Sequence, residues 1–387
     1  MLDGSWDLGS VQVCQNFFPD IGDDMMKRFC LTTMICVVFG FSFARSAELP
    51  TNNDPNRQIR FFNSEEAAAR RDALIRFIWP EGLPKQCLPK VTKDFGKEAF
   101  QGHLKLIDQS LTSRVDRLEL DVLGITSLSY LMHPLKESNP PRLAIIHAGH
   151  SRPGDYLKKT YTDPIHLLLK KGYCVVMMHM PLRGWHGDKS AELPNGKKVV
   201  VNQHASVVML PTHDTNLSKG SGFRPFLEPI VACINHYAQM RKGTPDVTMI
   251  GLSGGGWTTH MAAAIDTRIR LSIPVAGSYP LYLRKIAPDR GSVGDLEQYF
   301  SPLYDENIAK DGSGGGVATW LEIYALGGHG EGRRQIMVTA QYDSCCFNGD
   351  PTKTVDTFKE IVAAAVKKLG QGRWGHMLDT THRSHQI

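Results

Sequence analysis

Residues 247–266, VTMIGLSGGGWTTHMAAAID, place one serine among four glycines, between an apolar run and a helix-forming segment. The apolar run predicts a buried strand, and the small residues after it predict a helix. A Gly-x-Ser-x-Gly turn in this context forces its serine into a strained conformation, and glycines are needed because side chains would meet the neighbouring strand and helix. Ser253 Oγ would then stand beside a helix N-terminus, which favours developing negative charge.

Two other interpretations of this turn are open. The first is a glycine-rich turn whose serine only caps the following helix. The second, a nucleotide-binding turn, fits less well. The spacing is not Gly-x-Gly-x-x-Gly, and no Lys-Ser/Thr of a phosphate-binding loop follows.

The rest of the chain from residue 115 onwards alternates apolar strands with helices. The strand segments are RLELDVLGITSLSYLMHP (two strands joined at Leu123-Gly124), RLAIIHAG, YCVVMMHM, VTMIGL, RLSIPVAG, RQIMVTAQYD and RWGHML. Four further helices are predicted: one capped by Asn63 or Ser64 and stopped by Pro80, one from Asp163-Pro164 to Gly172, one over FRPFLEPIVACINHYAQMRK with Pro229 as a possible kink, and one from Asp350-Pro351 to Gly370. This pattern predicts an α/β fold with a mostly parallel sheet covered on both faces. We expect the excursions 185–222 and 281–332 to form loops or a cap at the carboxyl edge of the sheet.

At this point the sequence resembles the α/β-hydrolase superfamily over residues 115–387. That family orders its triad as serine, acid and histidine, with the acid after a late strand and the histidine after the last one. Here Ser253 follows the strand that ends at Gly251, Asp343 follows IMVTAQY, and DTTHRSHQI follows RWGHML. An acid after the penultimate strand is similar to the dienelactone-hydrolase and acetyl-xylan-esterase branches. The resemblance implies an α/β-hydrolase fold with an N-terminal extension and cap or loop insertions.

Three histidines near the end of the chain compete for the role of base. Imidazole titrates in the range that is needed to take the serine proton. We place His385 first, because it lies farther along the final loop and can return over the sheet edge, with His382 as the alternative. His376 lies within the last strand pattern and is expected to be structural.

Three aspartates compete for the role of acid, which fixes the imidazole tautomer and stabilises the imidazolium. Asp343 leads, because Asp350 is typical of a helix cap and Asp379 of a strand end. The structural alternative for Asp343 is a turn carboxylate.

The segment IIHAGHSRPGDY follows an early strand. In the α/β-hydrolase superfamily, which this sequence resembles, a glycine-rich loop at this position donates one backbone amide to the oxyanion hole. Gly149 or His150 would be that donor, and Gly254 the second. His147 and His150 have an alternative as metal ligands, but no HExxH motif or carboxylate-bearing cluster accompanies them in the sequence. We therefore expect no metal and no cofactor.

These residues predict a serine hydrolase acting on carboxylic esters, with small-molecule or carbohydrate-linked substrates. A serine peptidase is the alternative with the same chemistry. A catalytically inactive, hydrolase-like binding protein is a third possibility. The resembling family usually continues with a helix after the catalytic histidine, whereas this chain stops two residues past His385. A truncated chain is therefore a further alternative.

The N-terminus predicts export. From Met26 the sequence MKRFCLTTMICVVFGFSFARSAELP has a basic start, an apolar stretch and small residues that allow cleavage after Ala44 or Ser46. We assign residues 26–47 to a signal peptide of a secreted or periplasmic protein, and 1–25 to a misassigned upstream segment. The apolar run is shorter than the roughly 20 residues of a spanning helix, so no stable membrane anchor is expected, and a buried helix or an uncleaved anchor is the alternative. Residues 48–114 would form an N-terminal helical extension.

Composition and cysteines set further limits. The 387 residues are 42% hydrophobic and 21% charged, which is typical of a globular protein, and the net charge of +5 is not concentrated in runs that bind nucleic acid.

The predicted mature chain keeps Cys87, Cys174, Cys233, Cys345 and Cys346. In an oxidising compartment Cys345 or Cys346 could bridge to Cys87, or a bridge could stiffen the acid loop. The sequence leaves the pairing and the oligomeric state open.

Overall fold

The computed structural model describes residues 54–151, 159–284 and 294–387. The predicted upstream segment 1–25 and signal peptide 26–47 lie outside these ranges. Among the described residues, we find no helix with the length and apolar character needed to span a bilayer.

Strands and helices alternate along the described chain, as the sequence pattern predicts. The strands are β1 Lys90–Thr92, β2 Thr112–Val122, β3 Ile125–Pro134, β4 Arg142–Ala148, β5 Cys174–His179, β6 Ser190–Glu192, β7 Lys198–Val200, β8 Asp246–Leu252, β9 Ile269–Val275, β10 Arg334–Ala340 and β11 Arg373–Asp379. The α-helices are α1 Ser64–Ile78, α2 Gly96–Gln101, α3 Lys159–Lys170, α4 His204–Val208, α5 Arg224–Arg241, α6 Gly254–Ile265, α7 Leu296–Tyr299, α8 Ser301–Tyr304, α9 Trp320–Gly328 and α10 Lys359–Lys368.

Nine strands form one sheet in the order β1-β2-β3-β5-β4-β8-β9-β10-β11. The six strands from β5 to β11 in this order are parallel, whereas β1, β2 and β3 pair antiparallel at one side. Strands β6 and β7 form a separate two-stranded hairpin. The mostly parallel sheet is confirmed, and its central strands are continuously apolar because both faces are covered.

The two faces of the sheet carry two separate apolar clusters. In β4, Leu143 and Ile145 belong to one cluster, and Ala144 and Ile146 belong to the other. Buried residues of α1, α5, α6, α9 and α10 join the first cluster, and those of α2 and α3 join the second. This alternation follows from the two-residue period of a strand, and it gives the three-layer arrangement that the sequence predicts.

Two predicted helices differ from the structure. Helix α3 already starts at Lys159, so Asp163 is not its cap and Pro164 lies inside it; its predicted end at Gly172, with φ +80°, is confirmed. The predicted helix from Asp350 to Gly370 is broken. Two 3-10 turns, Pro351–Lys353 and Val355–Thr357, precede α10. The break lies at Thr354, whose φ of −120° and ψ of −100° are not helical.

The two excursions have different roles. The first, 185–222, holds the β6–β7 hairpin and α4. The second, 281–332, contains α9, whose nine residues are all buried. Helix α9 packs against α6, β10 and β11 as part of the layer that covers the sheet. The expectation of only loops or a cap is therefore wrong for this part, and an almost wholly apolar helix is the kind that folds into a core.

The segment before residue 115 is built into the same sheet. Helix α1 begins where predicted, with the Asn63 side chain accepting from the Glu66 amide. Strand β1 pairs with β2, so this segment supplies an edge strand as well as helices. The guanidinium of Arg60 also donates to the buried carboxylate of Glu322 at 2.8 Å.

Candidate active site

Ser253 occupies the sharp turn between β8 and α6. Its φ of +60° and ψ of −125° lie outside the regions that non-glycine residues commonly adopt. The Ser253 amide donates to the Val275 carbonyl at 2.9 Å, which ties the turn to the end of β9. The side chain stays partly exposed at the carboxyl edge of the sheet. This is the backbone conformation that the glycine pattern predicts.

The glycines around the serine are needed for close backbone contact. A Cβ atom at Gly251 would lie 2.1 Å from the Gly255 carbonyl oxygen, and one at Gly255 would lie 2.1 Å from the His147 carbonyl oxygen. Both distances are far inside van der Waals contact. Any larger side chain would therefore push β4, β8 and α6 apart at the turn.

The loop after β4 lies directly against this turn. A Cβ atom at Gly149 would be 2.7 Å from the Gly254 amide nitrogen and 2.8 Å from Ser253 Cβ. Burial raises the pKa of Tyr161 to about 12, although a backbone hydrogen bond from Gly149 and one from the Ser151 side chain act to lower it. The Gly149 and His150 amides both stay candidates for the first oxyanion donor, with the Gly254 amide as the second.

His385 and Asp343 form a hydrogen-bonded pair. His385 Nδ1 donates to Asp343 Oδ2 at 2.7 Å, and the Asp343 side chain is almost fully buried. Burial raises the pKa of this carboxyl group, but hydrogen bonds from His385 and from the Cys345 and Cys346 amides outweigh it and hold the pKa below its usual value. The carboxylate therefore remains ionised and fixes the tautomer in which the other ring nitrogen, Nε2, can accept a proton.

That second nitrogen is available. His385 Nε2 is buried and has no hydrogen-bond partner among the described residues, so no hydrogen bond joins it to Ser253 Oγ. The strand order places both groups at the same edge: Ser253 follows β8, Asp343 follows β10 and His385 follows β11, all parallel. Catalytic hydrogen bonds are often long in the absence of substrate and shorten in the complex.

The other predicted candidates lie elsewhere. His382 Nδ1 pairs with Asp379 Oδ2 at 2.5 Å on an exposed turn. His376 Nε2 contacts Thr339 Oγ1 at 2.8 Å within the sheet, and Asp350 caps a 3-10 turn. Burial lowers the pKa of His147 to about 3, and its Nδ1 donates to the Ala148 carbonyl.

The loop that carries the acid contains a disulfide between the adjacent residues Cys345 and Cys346. The expected alternative of a bridge to Cys87 is therefore wrong. Cys87 is a free thiol 3.7 Å from Glu228 Oε1, and Cys174 and Cys233 are buried free thiols. The Cys345 amide donates to Asp343 Oδ1 at 2.7 Å, so the bridged loop holds the acid in place.

His150 also belongs to a group that sequence reasoning missed. Its Nε2 lies 2.7 Å from Asp295 Oδ2, 3.3 Å from Glu297 Oε1 and 3.2 Å from His204 Nδ1. Burial lowers the pKa of His150, but its hydrogen bonds to the two carboxylates outweigh it and raise the pKa to about 9. The carboxylates lie almost 150 residues beyond His150 in an excursion without regular pattern, so only the fold brings them together.

The sheet order, the parallel core and the serine turn after β8 define an α/β-hydrolase fold. No family model and no curated protein sequence matches the chain. Among solved structures, the chain is similar to acetyl xylan esterase 1 from Thermoanaerobacterium sp. JW/SL YS485, with 14% identity, 87% of this chain and 94% of that chain covered, and a TM-score of 0.49. An acetyl xylan esterase from Paenibacillus sp. R4 has 13% identity over 87% of this chain and 95% of that chain, with a TM-score of 0.47.

Proposed function

We propose that the chain is a serine hydrolase that cleaves carboxylic esters. The observation that carries this proposal is the unusual backbone of Ser253 at the edge where the His385–Asp343 pair presents an imidazole nitrogen with no partner in the part of the chain that the structure describes. In this proposal Ser253 is the nucleophile, His385 the base and Asp343 the residue that orients it. The amide of Gly149 or His150, together with that of Gly254, binds the oxyanion.

The proposed reaction has two halves. Ser253 Oγ attacks the acyl carbon while His385 Nε2 takes the hydroxyl proton, and the carbonyl oxygen becomes an oxyanion next to the two amides. The C–O bond to the alcohol then breaks, and the alcohol leaves with the proton from His385. A water molecule repeats the sequence on the acyl-enzyme, with His385 again as base, and releases the acid together with free Ser253.

The proposal extends to location and substrate class. The basic, apolar and small-residue pattern of residues 26–47 supports export from the cytoplasm. An exported esterase of this kind would act on small-molecule or carbohydrate-linked esters. The excursions 185–222 and 281–332 flank the site and would select among them.

Labelling with a fluorophosphonate tests the proposal directly, because the reagent reacts with activated serines. We expect labelling of the wild-type protein at Ser253 and none of Ser253→Ala, whose turnover of p-nitrophenyl acetate falls on the order of 10⁶-fold. Ser344→Ala is the matched control, since Ser344 is an exposed serine beside the acid, and it should label normally. A folded wild-type protein that is not labelled would overturn the proposal. Faster turnover of peptide amides than of esters would show that the protein is a peptidase rather than an esterase.

A further inference from the structure

Four side chains from three separate segments converge beside the serine turn. They are His150 of the loop after β4, His204 of α4, and Asp295 and Glu297 at the start of α7. One ligand atom from each lies within 4.8 Å of every other. We call this group the histidine–carboxylate cluster.

The hydrogen bonds of His204 fix the direction of its lone pair. His204 Nε2 lies 3.0 Å from the Pro181 carbonyl oxygen, which can only accept, so Nε2 carries the proton. In the neutral ring Nδ1 is then a bare acceptor, and it points at Glu297 Oε1 at 3.1 Å and His150 Nε2 at 3.2 Å. A ring nitrogen held by a backbone carbonyl on its far side is the usual arrangement of a metal-binding histidine.

The negative charge of the carboxylates in the cluster also favours binding of a cation. Glu297 is completely buried, and its Oε2 atom has no hydrogen-bond partner among the described residues. With two neutral imidazoles the completely buried carboxylate of Glu297 would have no balancing charge, which is costly, whereas the Asp295 side chain is half exposed. Two protons, or one divalent cation, would balance the charge of the two carboxylates.

The ligand atoms are close enough together for one cation to contact all four. Zinc bonds of about 2.0–2.2 Å in a tetrahedron place neighbouring ligand atoms about 3.3–3.6 Å apart. Five of the six separations in the cluster are 2.7, 3.1, 3.2, 3.3 and 3.7 Å. Two imidazoles with two carboxylates are a ligand set for a first-row transition metal rather than for calcium or magnesium.

We propose that the histidine–carboxylate cluster binds one Zn²⁺ ion. All four tetrahedral positions are supplied by the protein, so the site is of the closed, structural kind. It joins both excursions to the loop after β4. A Cβ atom at Gly254 would lie 2.7 Å from the His150 ring, so an ion that fixes this ring also fixes the wall beside Ser253.

Metal binding can be measured without any substrate. Protein stripped with a chelator and dialysed is titrated with ZnCl₂ by calorimetry, and its metal content is measured by mass spectrometry. We expect one ion per chain, a raised melting temperature on binding, and a tetrahedral d–d spectrum when Co²⁺ replaces zinc. Glu297→Gln and His204→Ala should each weaken binding by more than about 100-fold, since loss of a ligand exceeds loss of a supporting residue.

The controls separate this proposal from its alternatives. His213→Ala removes an exposed histidine of the same excursion and should leave one tight site. Wild-type protein that binds no zinc, or a Glu297→Gln variant that binds as tightly as wild type, would overturn the proposal and leave an ion-pair network between protonated histidines and the two carboxylates. The Co²⁺ spectrum of the wild-type protein shows whether the metal is bound tetrahedrally even if a variant does not fold. Fluorophosphonate labelling is read separately, so failure of the zinc site and failure of the serine hydrolase proposal are distinguishable.

Discussion

His385 donates to Asp343 at 2.7 Å although 42 positions separate the two residues in the chain. The contact forms because β10 and β11 are neighbours in parallel register, with Ala340 opposite Asp379, so the loops that follow them leave the sheet side by side. The other histidine–aspartate pair of this region, His382 with Asp379, spans three residues on an exposed turn. Of these two pairs, the long-range one has a buried carboxylate and a buried ring nitrogen that has no hydrogen-bond partner among the described residues.

This difference predicts unequal effects of the two histidines. His385→Ala should lower the turnover of p-nitrophenyl acetate on the order of 10⁶-fold, because the base of the proposed triad is lost. His382→Ala, the matched control, should stay within a few-fold of wild type. Steady-state kinetics on both variants measure the turnover and so show which histidine is the base. Equal losses of turnover in the two variants, or a larger loss in His382→Ala, would show that His385 is not the base.

Asp343→Asn should lower the turnover about 10⁴-fold with little change of structure. An asparagine can donate to His385 Nδ1 and so favours the tautomer whose Nε2 already carries a proton. Asp350→Asn is the control, since Asp350 caps a 3-10 turn. We expect normal turnover from it. Wild-type activity in Asp343→Asn would show that this carboxylate is only a turn residue.

The sequence predicted those parts of the site that depend on local pattern. The serine turn is a local feature, because its glycines are required by contacts within residues 251–256 and with the adjacent strand end. The positions of Asp343 and His385 after consecutive late strands are also visible in the chain order. Parallel strands bring such loops to one edge of the sheet, so residues that follow neighbouring strands lie close together in space.

The rest depends on contacts that no local pattern shows. Asp295 and Glu297 lie beside His150 only because the second excursion folds back over the serine turn. Helix α9 has the composition of a core segment, but its nine residues are too few to separate a buried helix from a buried strand by periodicity. The helix predicted from Asp350 has a good apolar face, yet the tertiary packing interrupts its first turns.

The buried histidine His260 predicts loss of stability in acid. It lies in α6, fully buried, and burial lowers its pKa from 6.5 to about 3, although a hydrogen bond to Gln335 acts to raise it. An unfolded chain takes up this proton near pH 6.5, whereas the folded chain does not. The free energy of unfolding is therefore highest above pH 6.5 and falls below it, by up to about 1.4 kcal/mol per pH unit for this residue.

Urea unfolding at several pH values between 7 and 4 measures this effect. His260→Asn cannot titrate, so its free energy of unfolding should be lower than that of wild type at pH 7 but should fall less steeply with acid. His213→Asn, at an exposed position, should keep the wild-type slope. A His260→Asn slope equal to that of wild type would show that His260 is already protonated in the folded protein.

The contact of Glu322 with Arg60 predicts how firmly the N-terminal segment is held. Glu322 is completely buried and lies 2.8 Å from Arg60 and 3.5 Å from Arg70, and it also accepts from the Thr319 amide. Glu322→Ala would leave these guanidinium groups without their carboxylate partner, although both still donate to backbone carbonyls, so we expect the free energy of unfolding to fall on the order of 3–5 kcal/mol. Arg76→Ala removes an exposed ion pair of α1 and should change little. Urea unfolding at pH 7 compares the two variants, and a loss below about 1 kcal/mol in Glu322→Ala would mean that apolar packing alone holds the segment.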